Sequence, residues 1–365
     1  MKYKNLNYQI AIGIATMAVL LSACGGKNAQ GEPEKAEPVE EATTETVVQE
    51  PAEEVEGSAP ESETATVSEE EALPGLPETL YPNAIIKLDD GSYVVADNFS
   101  KKILTLKDGE TTVLAGADTV EDIFEVPSGG YSDDVCEKAM FAEPWGLTPF
   151  IGGVAVSDAA NGAVRLIKDG TVETINGSLD GTGAMLTYKR PTGITVDEKG
   201  NLYICDTLDD KIYGITPEGV ASVVFKNLGN PTALVYKSGT LYVAETGSNR
   251  ISMITATDGN LLSGNASKKV IAGTGDAGFE DGSVEEATFS SPQGLAIGND
   301  GALYVADTLN GAIRKISQDK VETILQAYDD EIDTFPVSPV GLLIEDHTMY
   351  ICDNYAGKIY SVSLE

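Results

Sequence analysis

A short motif recurs six times along this chain and constrains its fold more than any other feature. Each copy is a run of apolar, β-branched and aromatic residues that ends near an acid, which is the composition of a β-strand. The copies are YVVADN at 93, VAVSDA at 154, LYICDT at 202, LYVAET at 241, LYVADT at 303 and MYICDN at 349. Because internal repetition of this kind is typical of repeat architectures, six copies predict six structural units.

Each copy lies in the same larger pattern. An upstream apolar strand opens with a Pro-x-Gly or Pro-x-Ala step at Pro82, Pro144, Pro191, Pro231, Pro292 and Pro339. An aliphatic residue six positions after the acid opens a third strand at Ile103, Val164, Ile212, Ile251, Ile313 and Ile359. A fourth strand, such as TTVLAG or KVETIL, follows most copies. Four antiparallel strands repeated six times predict an all-β fold, a six-bladed β-propeller.

This pattern resembles the NHL repeat. The features that carry the resemblance are Pro-x-Gly-Ile, LYVADT, an Arg-Ile or Lys-Ile strand and a VETIL-like strand. In addition, the segment AGTGDAGFEDGSVEEATFSSPQGLAI is similar to the loop between NHL blades. The resemblance covers roughly residues 80–364 and implies a six-bladed propeller. Blade 2 departs from it, since VAVSDAANGAVRLI lacks the aromatic residue and follows TPF at 148, so its boundaries are the least defined.

The repeated acids have basic residues at a fixed distance. The acids are Asp97, Asp158, Asp206, Glu245, Asp307 and Asp353. The cation stands five residues later in four copies and seven later in two, at Lys102, Lys211, Arg250 and Lys358 or at Arg165 and Arg314. Residues two apart on a strand share a face, so we expect a structural acid–base pair between the second and third strands of every blade. Sixfold repetition favours this architectural role over a catalytic one.

The last blade and the cysteines complete the fold predictions. The chain ends after three strands of the sixth copy, and we expect residues 64–68 (TATVS) to supply the fourth. Cys205 and Cys352 replace the Ala or Ser of other copies, which predicts buried, small apolar side chains. They belong to blades 3 and 6, too far apart for a disulfide. Cys136 has no evident partner.

The N-terminus predicts export and lipid attachment. Lys2 and Lys4 precede an apolar stretch from residue 10 to residue 21, which is signal-peptide anatomy and too short to cross a bilayer. The following LSACGG resembles the lipobox of bacterial lipoproteins, in which the cysteine is diacylated and becomes the first mature residue. We therefore expect a signal peptide at 1–23 and a lipid on Cys24 that holds the protein at the extracytoplasmic face of the cell membrane. An ordinary secretory peptide with an incidental cysteine is the alternative.

Residues 24–79 predict a disordered tether ahead of a propeller at 80–365. Between residues 25 and 80 the chain has sixteen Glu, two Lys and no aromatic residue, so it cannot bury enough apolar surface to offset the entropy of ordering. A spacer is the simplest role, and an acidic interaction tail is the alternative.

The propeller segment itself is acidic, with 42 acidic and 20 basic side chains in residues 81–365, a formal charge of −22. Such a surface repels nucleic acid and anionic lipid headgroups.

The sequence gives little sign of catalysis. Propellers of related appearance include lactonases, amidating lyases and streptogramin lyases, and the resemblance implies that they use metal ions or a catalytic histidine. This chain has one histidine, His347, next to a turn, so a site of several histidines is excluded. No cofactor is predicted, although a calcium site of carboxylates is possible in the acidic loops at 133–134, 276–281 and 329–333.

The candidate ligand-binding surface is the end of the ring where the Pro-x-Gly steps lie. We call it the candidate rim: Tyr81, Asn83, Glu143, Trp145, Arg190, Thr192, Asn230, Thr232 and Gln293. A repeat that varies at one position on a constant scaffold is where specificity can reside. Trp145, the only Trp, either contacts ligand there or has a packing role, filling the channel or lying under the loop at 116–143. We expect a monomeric binding or scaffolding module for a protein, peptide or glycan at the cell envelope. The alternative is a lactonase-like hydrolase or lyase that uses carboxylates and a metal.

Overall fold

The computed structural model describes residues 73–122, 126–179, 183–326 and 337–364. Within these ranges the strands form six separate antiparallel sheets, which follow one another along the chain. The innermost strand of each sheet contacts that of the next, and the first sheet contacts the sixth, so the sheets close into a ring. The predicted all-β, six-bladed β-propeller is therefore confirmed.

The strands of the first three blades are as follows. Blade 1 contains β1 (Pro82–Lys87), β2 (Tyr93–Asp97), β3 (Lys102–Lys107) and β4 (Glu110–Ala115). Blade 2 contains β5 (Asp134–Val135), β6 (Pro144–Phe150), β7 (Gly153–Asp158), β8 (Ala163–Lys168) and β9 (Thr171–Thr174). Blade 3 contains β10 (Pro191–Val196), β11 (Leu202–Asp206), β12 (Lys211–Ile215) and β13 (Ala221–Lys226).

The strands of the other three blades continue the numbering. Blade 4 contains β14 (Pro231–Lys237), β15 (Thr240–Glu245), β16 (Arg250–Ala256) and β17 (Ala266–Ala272). Blade 5 contains β18 (Gly282–Ser283), β19 (Pro292–Ile297), β20 (Leu303–Asp307), β21 (Ala312–Ser317) and β22 (Lys320–Gln326). Blade 6 contains β23 (Pro339–Glu345), β24 (Thr348–Asp353) and β25 (Lys358–Ser363). Short 3₁₀ helices span Ala159–Asn161, Thr207–Asp209, Thr246–Ser248, Leu261–Ser263 and Thr308–Asn310.

The second strand of each blade is apolar on both faces because each sheet is packed between two others. Every residue of β11 and of β20 is buried. The hydrophobic clusters join neighbouring blades, as where Val94 and Ile103 of blade 1 pack with Leu147 and Val156 of blade 2. Strands buried on both faces read as continuous apolar runs, and this explains the six recurring motifs.

The Pro-x-Gly steps allow the innermost strands to approach closely around the channel. A Cβ atom on Gly193 would lie 2.7 Å from the carbonyl oxygen of Thr232, and one on Gly341 would lie 2.5 Å from that of Asn83. Each step also coincides with an irregularity in strand register, for example between Pro339 and Gly341. Only a small residue fits there, so the motif is a requirement of ring closure.

The repeated acids hold the chain that leads into each innermost strand. Asp97 accepts the N–H of Tyr81 at 2.9 Å, and Asp158 accepts the N–H of Glu143 at 2.9 Å. The equivalent acids of the other blades accept the N–H groups of Arg190, Gly229, Ser290 and Val337. The acids are thus architectural, and they fix the backbone that carries the candidate rim.

The predicted acid–base pairs form in only three blades. Asp158 pairs with Arg165 at 3.1 Å, Glu245 with Arg250 at 3.1 Å and Asp307 with Arg314 at 2.9 Å. The prediction is wrong for blades 1 and 3, where Lys102 pairs with Asp118 and Lys211 with Asp209. In blade 6 the structure gives no ion pair between Asp353 and Lys358 within its described residues. The acids of blades 1 and 6 instead accept N–H groups of the turn that follows them.

Blades 2 and 5 contain a buried arginine cluster that the sequence analysis missed. The Arg314 side chain is 0% exposed and contacts Asp307 and Asp281 at 2.9 and 2.6 Å, between the rings of Phe279 and Phe289. Arg165 repeats this arrangement in blade 2. The cluster members are Arg165, Asp133, Asp158, Tyr131 and Phe141 in blade 2 and Arg314, Asp281, Asp307, Phe279 and Phe289 in blade 5.

Blade 2 is therefore regular, despite its divergent motif. Its four strands are joined at the outer edge by β5, as those of blade 5 are joined by β18. Gly-aromatic-x-Asp at 130 and at 278 is the shared sequence signal. The cation seven residues after the acid occurs only in these two blades because there it also binds the preceding loop.

The described part of blade 6 has three strands, and residues 64–68, predicted to add the fourth, lie outside the described residues. Leu73 and Leu80 pack with Val340 and Cys352, so the start of the described chain fills the space between blades 6 and 1. Cys205 and Cys352 are fully buried, as predicted. In the described ranges, they and Cys136 are unpaired.

Candidate functional site

The candidate rim lies at the end of the ring where the innermost strands begin. Its residues are either the second residue of an innermost strand or part of the segment just before that strand. The repeated acids accept hydrogen bonds from the backbone of this segment. The positions of the rim residues are therefore fixed by hydrogen bonds from backbone N–H groups to the acid that ends the second strand of each blade. The side chains divide into a group that is buried and a group that is open to solvent.

Three rim side chains are buried and hydrogen-bonded, Asn83 to the neighbouring blade and Thr192 and Thr232 to a threonine of their own blade. Asn83 donates from Nδ2 to the carbonyl oxygen of Pro144 at 3.1 Å. The hydroxyl of Thr192 lies 2.7 Å from that of Thr207, and Thr232 pairs with Thr246 in the same way. These groups maintain the ring and leave little surface for a ligand, because each is less than 5% exposed.

The threonines that follow the repeated acids connect neighbouring blades near the rim, which the sequence analysis did not predict. Thr207, Thr246 and Thr308 each donate to the carbonyl oxygen of a proline in the next blade, Pro231, Pro292 or Pro339. The signal was present in the sequence, since Thr follows the acid in LYICDT, LYVAET and LYVADT. These hydroxyls join blade to blade and so set the diameter of the rim.

Trp145, Arg190 and Glu143 form one cluster across blades 2 and 3. Trp145 is 8% exposed, and the guanidinium carbon of Arg190 lies 5.5 Å from the centre of its ring. Arg190 donates to Glu143 at 2.5 Å, and both side chains remain partly accessible. Trp145 therefore packs against the buried side of Arg190. The surface that faces solvent at this point is the Arg190–Glu143 ion pair, which covers the aromatic ring.

Blade 1 contributes an aromatic pair to the rim. The Tyr81 and Phe99 rings lie 5.3 Å apart at 54°, and both side chains are half-buried. Burial, with the nearby Asp97 carboxylate, raises the pKa of Tyr81, which therefore stays a neutral hydrogen-bonding phenol at physiological pH. Phe99 was not predicted, and it lies two residues after the repeated acid.

Gln293 and Asn230 complete the rim in blades 5 and 4. Gln293 is partly exposed, and no hydrogen bond of its side-chain amide occurs within the described part of the chain. Asn230 is left-handed at φ 46° and donates from Nδ2 to the carbonyl oxygen of Thr207 at 3.1 Å. The groups left for recognition are thus Tyr81, Glu143, Arg190 and Gln293.

The acidic loops considered as cation sites have other partners. Asp133 binds Arg165, and Asp281 binds Arg314, which neutralises both carboxylates. The loop at 329–333 lies outside the described residues. Among the residues that the structure describes, no group of three or more His, Cys, Asp or Glu side chains is placed to hold a metal ion. His347 lies in the turn between β23 and β24, at the end of blade 6 opposite the rim.

No helix in the described ranges is long and apolar enough to span a bilayer.

Comparison with protein families supports an NHL-repeat propeller. The NHL repeat family model matches residues 289–316, which contain β19, β20 and most of β21. The Arabidopsis thaliana protein Suppressor of quenching 1, chloroplastic, is 30% identical over 148 residues, 40% of this chain and 10% of its own length. Human NHL repeat-containing protein 2 is 28% identical over 217 residues, 53% of this chain and 23% of its own length. The chain thus spans less than a quarter of either relative.

Solved structures share the fold at low sequence identity. An auxiliary nutrient binding protein from Bacteroides thetaiotaomicron is 10% identical, with a TM-score of 0.59 and coverage of 79% of this chain and 70% of that one. A gluconolactonase from Xanthomonas campestris is 12% identical, with a TM-score of 0.56 and coverage of 84% and 96%. Virginiamycin B lyase from Staphylococcus aureus is 16% identical, with a TM-score of 0.51 and coverage of 79% and 98%. At such identities the likeness concerns the fold alone.

Proposed function

We propose that this chain is a membrane-anchored, extracytoplasmic binding module that uses the candidate rim to hold a protein, peptide or glycan. One observation carries the proposal. Tyr81, Arg190 and Gln293 present different chemistry at one end of a ring whose backbone is held in the same way in every blade. A constant scaffold with variable, partly exposed side chains is the arrangement that recognition surfaces use.

Binding is better supported than catalysis. The repeated carboxylates hold backbone amides or arginines, and the described residues contain no cluster suited to a metal ion. One propeller that shares this fold is an auxiliary nutrient binding protein, so ligand binding is within the range of the architecture. The lactonase-like alternative also shares its fold with a solved structure, the gluconolactonase, but the described residues offer it no group of side chains placed to hold a metal ion.

Anchoring through Cys24 rests on the LSACGG motif and on the acidic composition that follows it. A Cys24→Ser variant tests this directly. We expect the wild-type chain to incorporate labelled palmitate and to sediment with membranes, and the variant to do neither. Membrane retention of the unlabelled variant would contradict lipid anchoring and would favour another form of attachment.

Trp145 is a built-in reporter for ligand binding at the rim, because it is the only Trp and lies beneath Arg190. Titration with envelope glycans and peptides should change the fluorescence of Trp145. The glycan or peptide fraction that causes this change should also be captured by the immobilised protein. Gln293→Ala and Arg190→Gln should weaken capture about fivefold to tenfold, the worth of one hydrogen bond or one charged contact. Lys199→Gln, an exposed lysine at the opposite end of blade 3, is the control. Equal capture by all three variants would refute a binding site at the rim.

A further inference from the structure

A cleft of about 230 Å³ lies between blades 4 and 5, away from the candidate rim. It is bordered by the end of β14, the turn between β19 and β20 and the turn between β21 and β22, all at the opposite end of the strands. Its lining is mixed, with the aliphatic side chains of Ile271, Ile297, Leu303 and Ile316 beside polar groups. The proposed binding at the rim does not involve this cleft.

Tyr242 lines this cleft, and its hydroxyl makes no hydrogen bond to any described residue. It is the second residue of the recurring strand motif, where other blades also have tyrosine. Those tyrosines are all satisfied. Tyr203 donates to Asp197 at 2.9 Å, Tyr304 donates to Asp300 at 3.3 Å, and the Tyr350 hydroxyl lies 2.8 Å from that of Tyr93, the first residue of the motif in blade 1. The turn before Tyr242 is formed by Ser238 and Gly239, which offer no carboxylate.

The neighbouring blade interface shows what packs against such a tyrosine. Tyr203 of blade 3 stacks on Tyr236 of blade 4, with ring centres 6.1 Å apart and planes at 4°. Tyr236 is the sixth residue from the start of its innermost strand, and the sixth residue of the corresponding strand in blade 5 is Ile297. The interface of blades 4 and 5 therefore lacks the second ring, and the cleft borders both Tyr242 and Ile297.

The opening of the cleft carries a cation and an amide. Lys237 and Gln318 border it, and neither side chain has an ion pair or hydrogen bond within the described ranges. Two acids adjoin lining residues along the chain: Asp300, beside Gly301, is paired with Lys315 at 2.8 Å, and Asp319, beside Gln318, has no ion pair to Lys237 in the described ranges. The Lys237 ammonium is thus available to an anionic ligand, with the Tyr242 hydroxyl and the Gln318 amide as further hydrogen-bond donors.

We propose that this cleft binds a small aromatic carboxylic acid, with its ring against Tyr242 and Ile297 and its carboxylate near Lys237. The ring replaces the stacking partner that Tyr236 supplies at the adjacent interface, and aromatic rings gain from such contact beyond the burial of area. An apolar cavity of about 150 Å³ suffices for benzene, so a cleft of this size holds a ring with a short acid chain. The charge of Lys237 selects an acid over an amine.

The probe is 3-phenylpropionate, with 3-phenylpropylamine as its cationic counterpart. Methyl NMR of the isoleucine-labelled protein reports the location, because Ile271, Ile297 and Ile316 line the cleft. We expect the acid to shift these three signals saturably and the amine to bind at least about tenfold more weakly. Loss of one hydrogen bond or one charged contact predicts a roughly fivefold decrease for Tyr242→Phe and a roughly tenfold decrease for Lys237→Gln.

Two further variants make the test decisive. Ile297→Tyr reproduces the stacked pair of the adjacent interface, so it should fill the cleft, abolish the shifts and leave the melting temperature unchanged or higher. Lys199→Gln, in the corresponding turn of blade 3, should bind the acid as the wild type does. The proposal is overturned if the three methyl signals do not move at about 10 mM acid, a concentration that detects even very weak binding. Equal binding of acid and amine, or binding retained by a folded Ile297→Tyr variant, overturns it as well.

Discussion

Replacing Arg314 by Met should destabilise the propeller far more than any change at its neighbour on the same strand. The Arg314 guanidinium is fully buried and donates to Asp307, to Asp281 and to the carbonyl oxygens of Thr288 and Glu280. Methionine retains most of the apolar contact with Phe279 and Phe289 but supplies no donor. The Asp307 carboxylate, 0% exposed, then loses the only cation that pairs with it in the described part of the chain.

The magnitude follows from the burial of the pair. Removing one member of a buried ion pair costs about 3–5 kcal/mol because the remaining charge is left desolvated. For a domain of this size each kcal/mol lowers the melting temperature by roughly 2–4 °C, so a fall of roughly 6–20 °C is expected. Arg314→Lys should recover only part of this, since a lysine cannot reproduce the planar, forked contacts.

The assay is thermal and denaturant unfolding of the purified protein with matched variants. Lys315→Met removes a partly exposed pair with Asp300 and should cost less than about 1 kcal/mol. Asp307→Asn in the Arg314→Met background should restore stability relative to the single variant, because it removes the orphan charge. Equal losses for Arg314→Met and Lys315→Met would refute the conclusion that the buried cluster supports the fold.

Three other changes have defined outcomes. Glu245 is buried, which opposes ionisation, but hydrogen bonds from Lys268, Ser252 and Arg250 outweigh this and lower its pKa below 4.5. The ionised Glu245 therefore stabilises the fold above about pH 4.5, and this contribution is lost as the pH falls through the lowered pKa. In unfolding measured as a function of pH, Glu245→Gln should reduce the loss of stability in the acid range. Gly193→Ala should cost about 1–3 kcal/mol, measured by urea unfolding, because its Cβ would lie 2.7 Å from a carbonyl oxygen of blade 4; an unchanged midpoint would contradict tight packing of the innermost strands. A chain that starts at residue 73 should melt below one that starts at residue 60 if residues 64–68 supply the last strand, and equal melting temperatures would count against that prediction.

Local sequence predicted the strands well because the constraints on them repeat. A strand buried on both faces must be apolar throughout, as in LYICD and LYVAD, and the small residue after Pro-x has no room for a larger side chain. Six copies of the same constraint made the blade count readable. The side-chain partners were predicted less well, since Lys102 and Lys211 bind acids outside the repeated position.

The sequence by itself determined the all-β repeat, the six blades and the acid that ends each second strand. Only the tertiary structure decided what each acid binds, because its partners come from the segment before the innermost strand, some sixteen residues earlier in the case of Tyr81 and Asp97. It also decided that Asn83, Thr192 and Thr232 are buried while Arg190 and Gln293 remain accessible. Exposure at the rim depends on contacts between blades, and such contacts link residues that no local pattern relates.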